Sequence, residues 1–323
     1  MSRKLYTQTA LGLILSSTAV ADVPSVAVDI APVHALVARV MDGVGAPNLI
    51  IPPGASPHEY SLRPSEAKSL QDADLVFWVG EDLTPWLEKS IDTLSRNAEI
   101  ITLLDQSETK LLKFRESALF EAHDHDDHDD HDHDKAHDDH DDHEGHNHGT
   151  HDPHAWLSID NAQSWLNVIA AKLSAVDPEN AGVYYGNAAS AIAELDAVEK
   201  EINATLDPVR GNSFVVFHDA YQYFENSFEF FAAGAISLSD ASDPSAARIA
   251  EVQGRIKNEG IDCILSEPQY NASMVATVLS GTDAKTGVID PLGSSLEPGP
   301  NLYTELVYDM AETLAGCLSD AKK

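Results

Sequence analysis

Leu75-Val76-Phe77-Trp78-Val79 is apolar without interruption, and a helical pattern over residues 82–96 and a second apolar run over 99–104 follow it. A strand with apolar side chains on both faces needs cover on both, the condition of a parallel sheet packed between helices. The alternation extends toward the N-terminus. Residues 25–30 and 49–51 read as strands and 33–41 as a short amphipathic helix. Residues 63–72 read as a helix that Pro64 can open, because a first-turn residue needs no N–H partner. Before that helix, the loop Pro52-Pro53-Gly54-Ala55-Ser56-Pro57-His58 carries a histidine just past the second strand.

The second half repeats this order. Strands are expected at 214–217, 230–235, 262–265 and 287–289, and helices at 220–226, 245–258, 273–280 and 302–318. Between the halves, residues 161–175 read as a helix with Asp160 as its N-cap. Pro178 opens a longer helix that ends near Pro208, and Tyr184, Ala188, Ala191, Leu195, Val198 and Ile202 form one apolar stripe along it. A helix of that length spans roughly 40 Å and suits a rigid connector. The expected fold is α/β: two four-strand lobes with parallel sheets, joined by one long helix. The expected boundaries are 22–177 for the N-terminal lobe, 178–207 for the connector and 208–323 for the C-terminal lobe.

Residues 1–21 read as a cleavable secretory leader. Ser2-Arg3-Lys4 is basic, residues 11–20 are mostly apolar, and Ala19-Val20-Ala21 has the small-x-small form of a cleavage site. About ten apolar residues are too few for a membrane-spanning helix, which needs ~20. No cysteine stands at the expected cleavage point, so no lipid anchor and no membrane insertion are expected. The formal net charge of −33 argues against nucleic acid or an anionic membrane surface as a partner. Part of that charge is local: fourteen acidic residues stand against Lys135 alone within 121–152, and the rest of the chain carries about −20. That tract cannot build a packed core and reads as a disordered surface loop. Export and an even cysteine count favour a disulfide between Cys263 and Cys317 over two separate buried thiols.

Ligands of open parallel sheets bind beyond the carboxyl ends of the strands. His58 and His218 each stand past a strand, His154 stands where order resumes before Trp156, and Asp290 stands past Val288-Ile289. Three imidazoles with one carboxylate or water make a tetrahedral N/O site, the preference of Zn²⁺. His34 lies inside the first helical pattern and reads as structural or surface-exposed. A second group of histidines comprises His123, His125, His128, His131, His133, His137, His140, His143, His146 and His148, interleaved with Asp. With no geometry fixed beforehand, they read as auxiliary, weaker zinc ligands.

The segments Pro53-Gly54-Ala55-Ser56-Pro57-His58-Glu59-Tyr60-Ser61-Leu62-Arg63-Pro64-Ser65, Asp152-Pro153-His154-Ala155-Trp156-Leu157, Val216-Phe217-His218-Asp219-Ala220-Tyr221 and Ser266-Glu267-Pro268-Gln269 resemble the ZnuA family, the periplasmic zinc-binding components of ABC-type zinc importers. The resemblance covers essentially the whole mature chain. It implies two (β/α)4 lobes joined by one rigid helix, with Zn²⁺ in the cleft between them. It also implies high-affinity capture of periplasmic zinc by a monomer and delivery to the membrane permease of an ABC transporter. The family's ligands fall on His58, His154 and His218, with Asp290 where related members use a carboxylate. Some relatives place an acidic residue before the first ligand histidine; Pro57 stands there instead, which leaves Asp290 or a water as the fourth ligand. Manganese-binding relatives carry a carboxylate in place of His218.

Three alternatives compete. A periplasmic zinc hydrolase could use the same three histidines with Glu267 as general base, although no HExxH pair or Ser-His-Asp arrangement is present. A plain metal buffer would rest on the tract alone. A manganese-binding relative would share the fold.

Overall fold

Every residue of the quoted apolar run is buried, and Leu75–Trp78 within it form a strand. The computed structural model describes residues 23–115, 151–237, 245–269 and 272–319; the expected leader and the ten tract histidines lie outside them. Strands β1 (Val26–Val28), β2 (Asn48–Leu49), β3 (Leu75–Trp78) and β4 (Glu99–Thr102) form a parallel sheet in the order β2-β1-β3-β4. Strands β5 (Phe214–His218), β6 (Gly234–Ser237), β7 (Cys263–Ser266) and β8 (Lys285–Val288) form a second parallel sheet in the order β6-β5-β7-β8. The two sheets share one topology, and in each the order reverses beside its first strand. That crevice is where a parallel sheet offers a binding site.

In the first lobe the helices are α1 (Ala31–Val40), α2 (Pro64–Gln71), α3 (Pro85–Leu94) and α4 (Ile159–Val176). Helix α5 (Ala181–Leu206) joins it to the second, which holds α6 (Gln222–Phe228), α7 (Ala246–Glu259), α8 (Ala272–Leu279) and α9 (Leu302–Ser319). The stripe read from the sequence is the buried face of α5: Tyr184, Ala188, Ala191, Leu195, Val198, Ile202 and Leu206. It packs on α1, α4 and α9, so one core runs through both lobes. Strand β5 shows the period of two. Phe214 and Val216 enter the shared core, whereas Val215 and Phe217 face a smaller core with Ile236, Val252, Ile256 and Ile264. No helix among the described residues is long and apolar enough to cross a membrane.

Several boundaries depart from the sequence reading for local reasons. The N-cap of α4 is Ser158, which accepts from Asn161 N; Asp160 lies inside the first turn instead. The Pro178 segment makes a short 3₁₀ turn before α5 begins at Ala181. Ala220 N donates to His218 O, a tight turn that delays α6 to Gln222. The run Phe230-Phe231-Ala232-Ala233 is apolar like a strand, but Glu229 takes a left-handed conformation and Phe230 N bonds back to Glu225 O. Pairing with β5 therefore starts only at Gly234, and Phe231 is left exposed.

Cys263 on β7 and Cys317 on α9 form the expected disulfide across 54 residues of sequence, both buried. Closing a loop of that length stabilises by about 4 kcal/mol in the chain-entropy model, with observed values of about 2–4 kcal/mol typical. Replacing both cysteines by Ala is expected to lower stability within that range, read by denaturant unfolding.

Candidate metal centre

His58, His154 and His218 come together at the carboxyl ends of the two sheets. Their nearest ring nitrogens lie within 4.8 Å of one another. Ring centroids are 5.4 Å apart for His58 and His154, 5.9 Å for His58 and His218, and 5.0 Å for His154 and His218. Each ring is carried differently. His218 is the last residue of β5 and buried. His154, also buried, precedes the 3₁₀ turn Ala155–Leu157. His58 ends the proline-rich loop after β2 and is half-buried. Trp86 on α3 donates from Nε1 to Pro57 O at 2.7 Å, and His58 N donates to Ser56 Oγ at 3.2 Å, which holds that loop down.

Two of the rings are braced by carboxylates. His154 Nδ1 lies 2.7 Å from Asp152 Oδ1, which also accepts from His154 N. His218 Nδ1 lies 3.1 Å from Glu267 Oε1. An imidazole that donates from Nδ1 carries its lone pair on Nε2, so each brace fixes the tautomer and makes Nε2 the atom that would bind a metal. Sequence reading missed both braces. Strand register could have found one: Val216 pairs with Leu265, which sets His218 opposite Glu267 two residues on. The other was visible as the short span Asp152-Pro153-His154, in which an Asp side chain reaches the backbone two residues on.

Trp156 ties the His154 loop to the other lobe. Its Nε1 donates to Pro291 O at 2.8 Å, and Tyr303 of α9 donates to Trp156 O at 2.8 Å. The cavity at the histidines is lined further by Glu267, Gln269 and Leu292. Asp290 is not part of that lining. Its carboxylate instead accepts from Leu292 N, Gly293 N, Ser294 N and Ser294 Oγ at 3.0, 3.1, 2.6 and 2.5 Å. Gly293, at φ 66, gives the turn that aims these donors at one carboxylate. Among the described residues the structure thus joins the three expected histidines and leaves Asp290 capping its own loop. His34 is structural: buried in α1, with Nε2 3.2 Å from Pro47 O. His151, which the sequence reading did not treat, pairs with Lys113 in an isolated antiparallel bridge.

Acid groups crowd one side of the centre. Burial pushes the carboxyls of Asp152 and Glu225 up to about 7 and that of Asp219 up to about 6, opposed in each by the positive charge of Arg115. Arg115 Nη2 lies 3.0 Å from Glu225 Oε2 and its Nε 3.4 Å from Asp219 Oδ1. Arg115 belongs to the first half of the chain and both carboxylates to the second, so the cluster clamps the lobes beside His218.

The chain matches the family described as "Zinc-uptake complex component A periplasmic" over residues 26–317. It is 47% identical to the high-affinity zinc uptake system protein ZnuA of Brucella suis over 305 residues, covering 91% of each chain. It is also 47% identical to the Paracoccus denitrificans protein of that name over 302 residues, covering 92% of this chain and 93% of the relative. In fold it is similar to a crystal structure of ZnuA, with a TM-score of 0.72 at 18% identity over 91% of this chain and 99% of that one. The Mn²⁺ complex of FpvC from Pseudomonas aeruginosa is similar in fold too, with a TM-score of 0.75 at 19% identity over 93% and 100%.

Removing Arg115 strands two buried carboxylates, and breaking a buried pair in this way costs about 3–5 kcal/mol. Arg115→Ala is therefore expected to destabilise the metal-free protein by that order at pH 8. Glu225 has a folded pKa above its unfolded value, so its contribution favours the fold at low pH and is lost as pH rises through about 7. Without Arg115 that pKa rises further, and the deficit of the variant should shrink at pH 5. Denaturant unfolding at the two pH values measures this, and a deficit independent of pH would contradict it.

Proposed function

The chain belongs to the family of periplasmic zinc-uptake components, and on that premise we propose that His58, His154 and His218 capture one Zn²⁺ for delivery to the membrane permease of an ABC-type importer. The observation that carries this reading is the convergence of three imidazoles from both lobes, two of them oriented through Nδ1 by buried carboxylates. Tetrahedral Zn²⁺ takes nitrogen ligands at about 2.0–2.1 Å, and three rings whose nitrogens already lie within 4.8 Å need only small rotations to reach it. Buried carboxylates beside the rings add attraction for a divalent cation, since a bound ion offsets the cost of keeping them charged. The leader 1–21 would direct the chain to the periplasm, and the histidines between His123 and His148 would hold further zinc more weakly.

The hydrolase reading has less support. Glu267 is the group that would activate a metal-bound water, and its carboxylate is engaged with His218 Nδ1. It orients a ring, so binding and release, with no turnover, is the activity proposed. The manganese reading meets three imidazoles, which suit the borderline Zn²⁺ better than the harder Mn²⁺.

Replacing His218 with Ala should weaken the tightest zinc binding by more than about a hundredfold, the upper cost of losing even a bracing partner. Competition against a chelator measures it, and wild-type affinity in the variant would reject the site. Deleting residues 123–148 should lower total bound zinc yet leave one tight ion and its thermal stabilisation. Calorimetry showing no tight site in the deleted protein would transfer the function to the tract. In His218→Glu, a charged oxygen replaces a neutral nitrogen. The zinc-over-manganese preference should then narrow at least tenfold, about 1.4 kcal/mol, in parallel titrations of the two metals.

A further inference from the structure

Gln269 lines the cavity of the three histidines, and both polar atoms of its side-chain amide are shielded from solvent. Among the described residues neither Oε1 nor Nε2 has a hydrogen-bond partner. Buried polar groups are almost always satisfied, so an amide with no protein partner beside a binding site is placed to bond a ligand or water there. The chain delivers this amide from a stiff support. Glu267-Pro268-Gln269 follows β7 directly, Pro268 restricts its own φ, and Glu267 is anchored on His218.

Among the described residues, three nearby candidates for a fourth zinc ligand are engaged elsewhere or lack a ligand atom. Asp290 caps its own turn, Glu267 braces His218, and Pro57 offers no side-chain donor where it precedes His58. We propose that Gln269 positions a water as the fourth ligand of the captured zinc, its Oε1 accepting a hydrogen bond from that water. The inference rests on the three-histidine reading above. Its chemical consequence is a neutral ligand set of three imidazoles and one water. Such a set stays at four ligands, which Zn²⁺ prefers, and offers no carboxylate to an ion that favours oxygen. Gln269 is then a specificity-determining residue: a carboxylate at its place could enter the coordination sphere through one or two oxygens.

The full chain, Gln269→Leu and Gln269→Glu would be compared in zinc competition titrations and in the visible spectrum with one equivalent of Co²⁺, whose bands report the ligand geometry. In Gln269→Leu, zinc affinity should fall about ten- to a hundredfold, the usual range for loss of a group that orients a ligand, and the Co²⁺ bands should change. The same variant should be at least as stable as the parent without metal, because it removes an amide with no partner. Opposite signs for stability and affinity are a signature that a merely structural residue would not give. Gln269→Glu should keep tight zinc binding and gain at least about tenfold in Mn²⁺ affinity. Parental zinc affinity in Gln269→Leu, or a loss of affinity with unchanged Co²⁺ bands, overturns the role of Gln269. His218→Ala serves as the control: if it too binds zinc like the parent, the three-histidine site itself is wrong. If Gln269→Leu does not fold, Gln269→Met carries the same comparison.

Discussion

The geometry of the centre depends on a joint of helices that lies away from it. Helix α5 buries one stripe against α1 and α4 of the first lobe and α9 of the second, so the lobes share a core. Polar contacts fix the register of that joint. Arg39 on α1 is paired with Glu194 on α5, and Thr304 on α9 donates to the same carboxylate at 3.3 Å. Asn187 on α5 donates to Val40 O and Asp42 O at the end of α1. A slip of α5 by one turn would displace the lobes by about 5.4 Å. That is more than the 4.8 Å within which the histidine nitrogens lie. A set of histidines divided between two lobes can be built only on a joint that does not slide.

Within that frame the site is made from the ends of strands, and each lobe contributes differently. The second lobe supplies His218 on the final position of a central strand and Glu267 just past its neighbour, both set by strand pairing. The first lobe supplies His58 and His154 from loops, and these need separate fastening: Trp86 holds Pro57, and Trp156 is held by Pro291 and Tyr303. A loop histidine becomes as well placed as a strand histidine when a large, rigid indole donates its one hydrogen bond to or from that loop.

Those fastenings explain what could be read from the sequence and what could not. The apolar run at Leu75, the α5 stripe and the strand before His218 are periodic signals, and period survives without tertiary structure. His58 and His218 were legible because the strand-end rule needs only topology, whereas His154 was marked by the return of order after the tract and by the resemblance. Asp290 satisfied that rule equally well, but whether a carboxylate points into a cleft or into its own turn depends on the backbone after it, here the left-handed Gly293. The Phe230 run misled for a similar reason: hydrophobicity reports burial, and burial of Phe230 beside Phe214 does not require strand pairing. The cluster of Arg115 with Asp219 and Glu225 joins residues more than a hundred positions apart and leaves no local pattern at all.

Burial is graded across the three histidines, and the gradient gives the site a direction. His154 and His218 are 4% and 3% exposed, each backed by a buried carboxylate, whereas His58 is half-buried at the rim. On the proposed reading an ion arriving from solvent would meet His58 before the two braced rings. The order of contact matches the order of attraction, because charge interactions strengthen as water is left behind. On the proposed reading the ion would leave past His58 and its proline-rich loop, since His58 is the least buried of the three rings.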